Sequence, residues 1–180
     1  TLALENMEGG AENAAGAIAR LYEIAKAPGI DLETAQHAYL KLRAVSIQGV
    51  EAERIIKVFS NTVARGGGSS VQFGRVLEQF TQMRAENRVL QQDLKFMKNS
   101  MPELASLMQK AFGTTTAEGV RKLGLNAREF TEKILIEMEK LPTAQQTLTS
   151  EIENTTVAWS RMKAAMVDTN FTKRVLQDFT

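Results

Sequence analysis

The chain is expected to be all-α: a compact stack of short antiparallel helices followed by a longer C-terminal amphipathic helix. Three observations lead there. Long stretches are rich in Ala, Leu, Glu, Lys, Gln and Met, the residues that lose least on entering a helix. Apolar residues recur at spacings of three and four, and no convincing period-two alternation of strand length occurs. Only 3 Pro and 12 Gly interrupt these stretches, and several of them stand between the periodic segments.

Taken in order, the periodicity predicts helices near Ala11 to Lys26, Asp31 to Ser46, Val50 to Arg65 and Ser69 to Arg84. Others follow at Asn87 to Asn99, Pro102 to Phe112, Thr115 to Lys122, Asn126 to Lys140, and Pro142 to about Met166. Thr115 with Glu118 and Asn126 with Glu129 have the spacing of capping boxes, in which two side chains satisfy each other's free backbone N–H groups. Pro102 and Pro142 fit first-turn positions, where a missing N–H costs nothing. Gly29, Gly49, Gly113 and Gly124 mark joints, and joints this short make neighbouring helices turn back on one another.

The joints at Gly29, Gly49 and Gly68 fall at nearly even intervals, with Ala38-Tyr39-Leu40, Val58-Phe59-Ser60 and Val76-Leu77-Glu78 at matched places. Single-helix repeats would give this pattern, and so would three helices of average length. The expected division is a helical domain over 1–141 and a C-terminal amphipathic helix and tail over 142–180, serving as a coiled coil or a linker. From Gln145, the residues Leu148, Ile152, Thr155, Trp159, Met162 and Met166 alternate spacings of three and four like the a/d seam of a coiled coil. Leu148, Ile152, Trp159, Met162 and Met166 are therefore the candidate interaction residues, the alternative being an amphipathic helix packed on its own domain. The chain begins at Thr1 and ends at Thr180 as an excerpt of a longer protein would.

Composition narrows the function. A chain of 180 residues with 43% apolar and 24% charged residues buries a core. Its formal net charge of +1 provides no global field for a polyanion, so specific nucleic-acid binding is not expected. Cysteine is absent, which removes disulfides, thiolate nucleophiles and sulfur-ligated zinc. No run approaches the roughly 20 apolar residues that span a bilayer, and no secretory signal pattern is present.

The one histidine, His37, has Glu33, Leu40 and Lys41 as helix neighbours, a polar face that reads as surface. A di-iron carboxylate site would need Glu-x-x-His on two helices; residue 34 is Thr34 and no second His exists, so no metal or other cofactor is expected. The Glu-x-Glu pairs Glu51/Glu53, Glu137/Glu139 and Glu151/Glu153 point about 200° apart on a helix and so cannot share one ion; they read as solvated faces. Gly66-Gly67-Gly68-Ser69-Ser70 lacks the Gly-Lys-Ser/Thr of a phosphate loop and reads as a flexible turn capped by Ser69. Arg84, Arg88, Lys95 and Lys98 form a mild basic cluster interleaved by Glu86 and Asp93. Met97, Met101 and Met108, with Phe96, Leu104, Leu107 and Phe112, read as core, the alternative being an adaptable groove. No catalytic residue emerges, and an enzyme is not expected.

The run from Gln92-Asp93-Leu94 through Met101-Pro102-Glu103-Leu104 and Lys110-Ala111-Phe112-Gly113-Thr114 to Leu123-Gly124-Leu125-Asn126-Ala127-Arg128-Glu129-Phe130 resembles the helical domain of tape measure proteins of long-tailed bacteriophages. Leu21-Tyr22-Glu23-Ile24-Ala25, Gly29-Ile30-Asp31-Leu32-Glu33 and Tyr39-Leu40-Lys41-Leu42-Arg43-Ala44 resemble its opening helices, and Leu148-Thr149 to Trp159 its polar exit helix. The resemblance extends roughly from Ala14 to Met166. It implies a structural role in tail assembly and tail-length determination, with a part in DNA ejection. The implied partners are tail-tube subunits, tail-tip or hub subunits and tail assembly chaperones, with the chain itself in a low-copy homo-oligomer such as a trimer. The implied location is the virion tail lumen, reached from the host cytoplasm during assembly. Two other readings stay open: a helical, glycosidase-like cell-wall lytic domain, and a helical adapter protein of a bacterial host.

Overall fold

Nine helices and no strand form among residues 2–26 and 30–144, the residues described by this computed structural model. They are α1 (Leu2–Glu8), α2 (Ala11–Ala25), α3 (Leu32–Ala44), α4 (Gly49–Arg65), α5 (Ser70–Glu86), α6 (Gln91–Ser100), α7 (Leu104–Phe112), α8 (Ala117–Lys122) and α9 (Ala127–Glu139). The all-α expectation is met, and eight of the nine expected helices lie within these residues. The ninth, from Pro142 towards Met166, falls almost entirely outside them.

Helices α4 and α5 are the structural centre. Helix α4 packs on α2, α3, α5 and α9, while α5 packs on α3, α4, α6 and α9. The Phe59 and Phe80 rings meet edge to face at 5.0 Å between these two helices, an arrangement that adds to the area the rings bury. Glu51 and Arg84 lie the same number of residues on either side of the Gly66–Ser69 turn, and their side chains meet. That register makes α4 and α5 antiparallel. The buried faces Ala38-Tyr39, Val58-Phe59 and Val76-Leu77 all line this core, so core burial alone accounts for their likeness at matched positions.

The turn between these two helices is closely packed. Gly68 donates its N–H to the Val63 carbonyl at 2.9 Å, and a Cβ on Gly68 would stand 2.4 Å from Val63 Cγ1. Gly67 adopts φ +73°, a left-handed conformation that glycine enters without steric cost. The glycine run therefore closes α4 tightly. Gln72 Oε1 then accepts the Ser69 N–H at 3.0 Å, the returning half of a capping box.

Several expected boundaries shift for local reasons. Helix α1 was not anticipated: it is seven residues long, too short to stand alone in water, and Glu8 at its end is held by Tyr39 and Arg43 of α3. Asn87 ends α5 in the left-handed region at φ 51°, so α6 starts at Gln91 instead of Asn87. Pro102 sits in a turn ahead of α7, where Leu104 N–H reaches the Met101 carbonyl at 2.9 Å. The cap of α8 is Thr116, whose hydroxyl accepts from Gly119 N–H at 3.0 Å, while Glu118 pairs with Lys122. The Thr115 capping box is thereby corrected. The box at Asn126 and Glu129 forms as expected, with both bonds at 2.9–3.0 Å. Pro142 is not helical; it lies in a link fastened to α4.

Candidate functional site

Side chains that carry chemistry are used here chiefly to join helices. Arg54 of α4 grips Glu139 of α9 with two parallel bonds, Nε to Oε1 at 2.6 Å and Nη2 to Oε2 at 2.9 Å, and gives Nη1 to Glu132 at 2.8 Å. Paired bonds of this kind match the planar guanidinium to the carboxylate and restrict geometry as well as adding attraction. The Glu139 carboxyl is held below its ordinary range, with the bond from Arg54 the main cause, and the Arg54 guanidinium is held protonated. Arg65, the last residue of α4, grips Glu103 ahead of α7 in the same two-bonded way at 2.6 and 3.0 Å.

Arg84 of α5 gives Nη2 to Glu51 of α4 at 3.1 Å and Nη1 to Thr131 of α9 at 3.2 Å, so one guanidinium touches three helices. Its side chain is only 7% exposed. Arg20 of α2 reaches Glu53 of α4 at 2.9 Å. Glu8 of α1 accepts the Tyr39 hydroxyl at 2.9 Å and Arg43 Nε at 3.0 Å. Burial, aided by the bond to Glu8, pushes the Tyr39 phenol up to about 12. Glu137 of α9 takes Lys110 of α7 at 3.1 Å and also its neighbour Lys140.

These contacts decide the expectations about acidic and basic residues. Glu51 and Glu53 diverge as expected, as do Glu137 and Glu139, but none of the four is merely a solvated carboxylate: each joins α4 or α9 to another helix. The third pair, Glu151 and Glu153, lies outside the described residues. The basic cluster does not assemble as one face, because Arg84 is buried in its ion pair and Lys98 donates to the Thr115 carbonyl at 3.0 Å. His37 lies on the surface, its side chain 70% exposed and 3.8 Å from Glu33. Met97, Met101 and Met108 are fully enclosed in the core. Among the described residues, no group of three or more His, Asp or Glu side chains comes together to hold a metal ion, and no helix is long and apolar enough to cross a membrane.

Two features were not legible beforehand. The link after α9 is latched onto α4, with Asn61 Nδ2 donating to the Pro142 carbonyl at 3.1 Å and Asn61 Oδ1 accepting Ala144 N–H at 2.6 Å. Arg65 Nη1 adds a bond to the same Pro142 carbonyl at 3.3 Å. A cleft of about 300 Å³ opens where Val45, Arg84, Asn87, Asn126 and Arg128 approach one another. The candidate interaction residues Leu148, Ile152, Trp159, Met162 and Met166 lie outside the described residues.

The described residues thus form nine helices tied largely by interhelical arginines. A family model described as tape measure protein matches residues 2–168. The chain belongs to the tape measure protein family. It is thus a structural component of a phage tail, and the resemblance seen in its helix joints is borne out over nearly the same span. No curated protein and no solved structure matches the chain. The described portion is a folded set of helices of six to 17 residues, not one extended rod.

Proposed function

We propose that this segment is an assembly module of the tape measure protein, a folded fitting rather than the ruler itself. The observation that carries the reading is the fold within the matched family. Helices α3, α5, α8 and α9 begin at side-chain caps, and ion pairs tie elements far apart in sequence, among them Arg54 with Glu139 and Arg65 with Glu103. A continuous helix advances about 1.5 Å per residue, so metering of tail length belongs to uninterrupted helical segments elsewhere in the tape. This module acts in tail assembly and in the tape's departure before DNA ejection. Its partners are tail-tube subunits, tail-tip or hub subunits and tail assembly chaperones, and its place is the tail lumen after assembly in the host cytoplasm. It carries no catalytic step.

The division of labour within the chain follows. The helical domain over residues 1–141 is the fitting, its link through Ala144 is fastened to α4, and the rest of 142–180 hands the chain on, with Leu148, Ile152, Trp159, Met162 and Met166 forming the seam of a low-copy homo-oligomer. Measuring the mass of the purified chain in solution tests this reading. The wild type should be an oligomer, and the double variant Ile152→Lys, Met162→Lys should have a lower mass with unchanged helical circular dichroism. A wild type that stays monomeric at high concentration, or a double variant that unfolds, places the stripe in the domain core instead. Release of muropeptides from purified cell wall by the chain would replace the assembly reading with a lytic one.

A further inference from the structure

The cleft lined by Val45, Arg84, Asn87, Asn126 and Arg128 is built from the ends of three helices. Val45 caps the C-terminus of α3, Arg84 and Asn87 close α5, and Asn126 and Arg128 open α9. Its lining contains two guanidiniums and no carboxylate. Glu51 is engaged by Arg84, and Glu129, which follows Arg128 in sequence, accepts the Asn126 N–H. Arg20, Arg43, Arg54, Arg65 and Arg84 each face a carboxylate partner. Arg128 has none among the described residues, and it stands exposed at the cleft.

Arg84 adds a fixed charge to that wall. Its guanidinium is anchored by Glu51 and Thr131 and lies 6.0 Å from the Phe80 ring centroid. A guanidinium has five N–H donors, and the bonds to Glu51 and Thr131 leave others for an incoming acceptor. Two asparagine side chains complete a lining suited to an oxyanion.

We propose that this cleft receives the acidic side chains of a partner protein segment, with Arg128 forming the new ion pair and Arg84 supplying the preset positive wall. The volume suits one or two carboxylate side chains and some water, since a water molecule takes about 30 Å³ of liquid. A free small anion is disfavoured as the occupant, because an ion pair open to solvent contributes on the order of 1 kcal/mol or less by itself. A tethered acidic segment adds backbone and side-chain contact around the charge. Nucleic acid is also disfavoured, because the net charge of +1 gives the chain no global positive field to hold a phosphate backbone. The inference stands apart from the assembly role proposed above and concerns binding by the chain alone.

The test follows the Arg Nε–Hε signals of the full chain by nuclear magnetic resonance at low salt. The probes are an acetylated tetraglutamate peptide and, separately, inorganic phosphate. The peptide should shift the Arg84 and Arg128 signals together and saturably. Arg128→Gln should weaken that binding about fivefold, the effect of losing one solvent-open charge pair. Lys133→Gln, an exposed change on the same helix, should alter it less than about twofold. Both variants should melt with the wild type, because neither residue pairs with another part of the fold. The proposal is overturned if the peptide produces no saturable shift, or if Lys133→Gln weakens binding as much as Arg128→Gln. It is equally overturned if inorganic phosphate binds as tightly as the peptide.

Discussion

At the residue scale, Asp93 is the one carboxylate of the described core left partly unanswered. It is 2% exposed, and its Oδ1 has no hydrogen-bond partner. Burial pushes its carboxyl above the ordinary 3.8, against a smaller opposing effect of the Leu90 N–H. A carboxyl raised in the folded state favours folding most when protonated, so its contribution is present below pH 3.8 and is lost as pH rises through the raised value. Asp93→Asn keeps an oxygen for Leu90 and removes the buried charge. It should raise the melting temperature at pH 7 by about 2–4 °C, equivalent to about 1 kcal/mol, and the gain should vanish below pH 3.8. Glu139 works in the opposite sense. Held below 4.5 by Arg54, it stabilises the fold above its ordinary value, and that stabilisation fades as pH falls through the lowered one. Gly49 is a second sensitive position, because a Cβ there would stand 2.6 Å from the Tyr39 hydroxyl oxygen. Gly49→Ala should push Tyr39 off Glu8 and cost about 1–3 kcal/mol, read as a lower urea midpoint at unchanged slope.

At the scale of elements, caps and clamps decide where helices end and how they hold together. Asn126→Ala removes the acceptor for Glu129 N–H and should cost about 1 kcal/mol of stability. A double-mutant cycle on Arg54→Ala and Glu139→Gln should give a coupling of about 0.5–1 kcal/mol that shrinks as salt is added, as partly exposed pairs do. The helices themselves were legible because period and composition act within one segment. Asn126 and Glu129 were legible for the same reason. Thr115 was expected to cap α8, but Thr116 accepts the Gly119 N–H, while the Thr115 carbonyl is taken by Lys98, 17 residues away, a contact that local spacing does not show. The ion pairs were not legible at all. Arg54 and Glu139 are 85 residues apart, and nothing in local spacing marks one as the partner of the other, so residues that read as solvated faces proved to be interhelical ties. Helix α1 was missed because its stability comes from Arg43 and Tyr39 rather than from its own seven residues.

At the scale of the whole molecule, the order of helix joints carried the family assignment, and the match over residues 2–168 supports it across the described fold and beyond. Circular dichroism of the purified chain should be dominated by helix; a substantial strand component would contradict the fold. The central claim is that the tape holds this region as a folded module and does not pay it out as extended helix. Tail length in virions with α9, residues Ala127–Glu139, deleted in frame measures this most directly. Loss of α9 removes the surface on which α4, α5 and α7 pack, so tail assembly should fail or be misdirected. Viable virions with tails about 20 Å shorter, at about 1.5 Å for each residue removed, would contradict it.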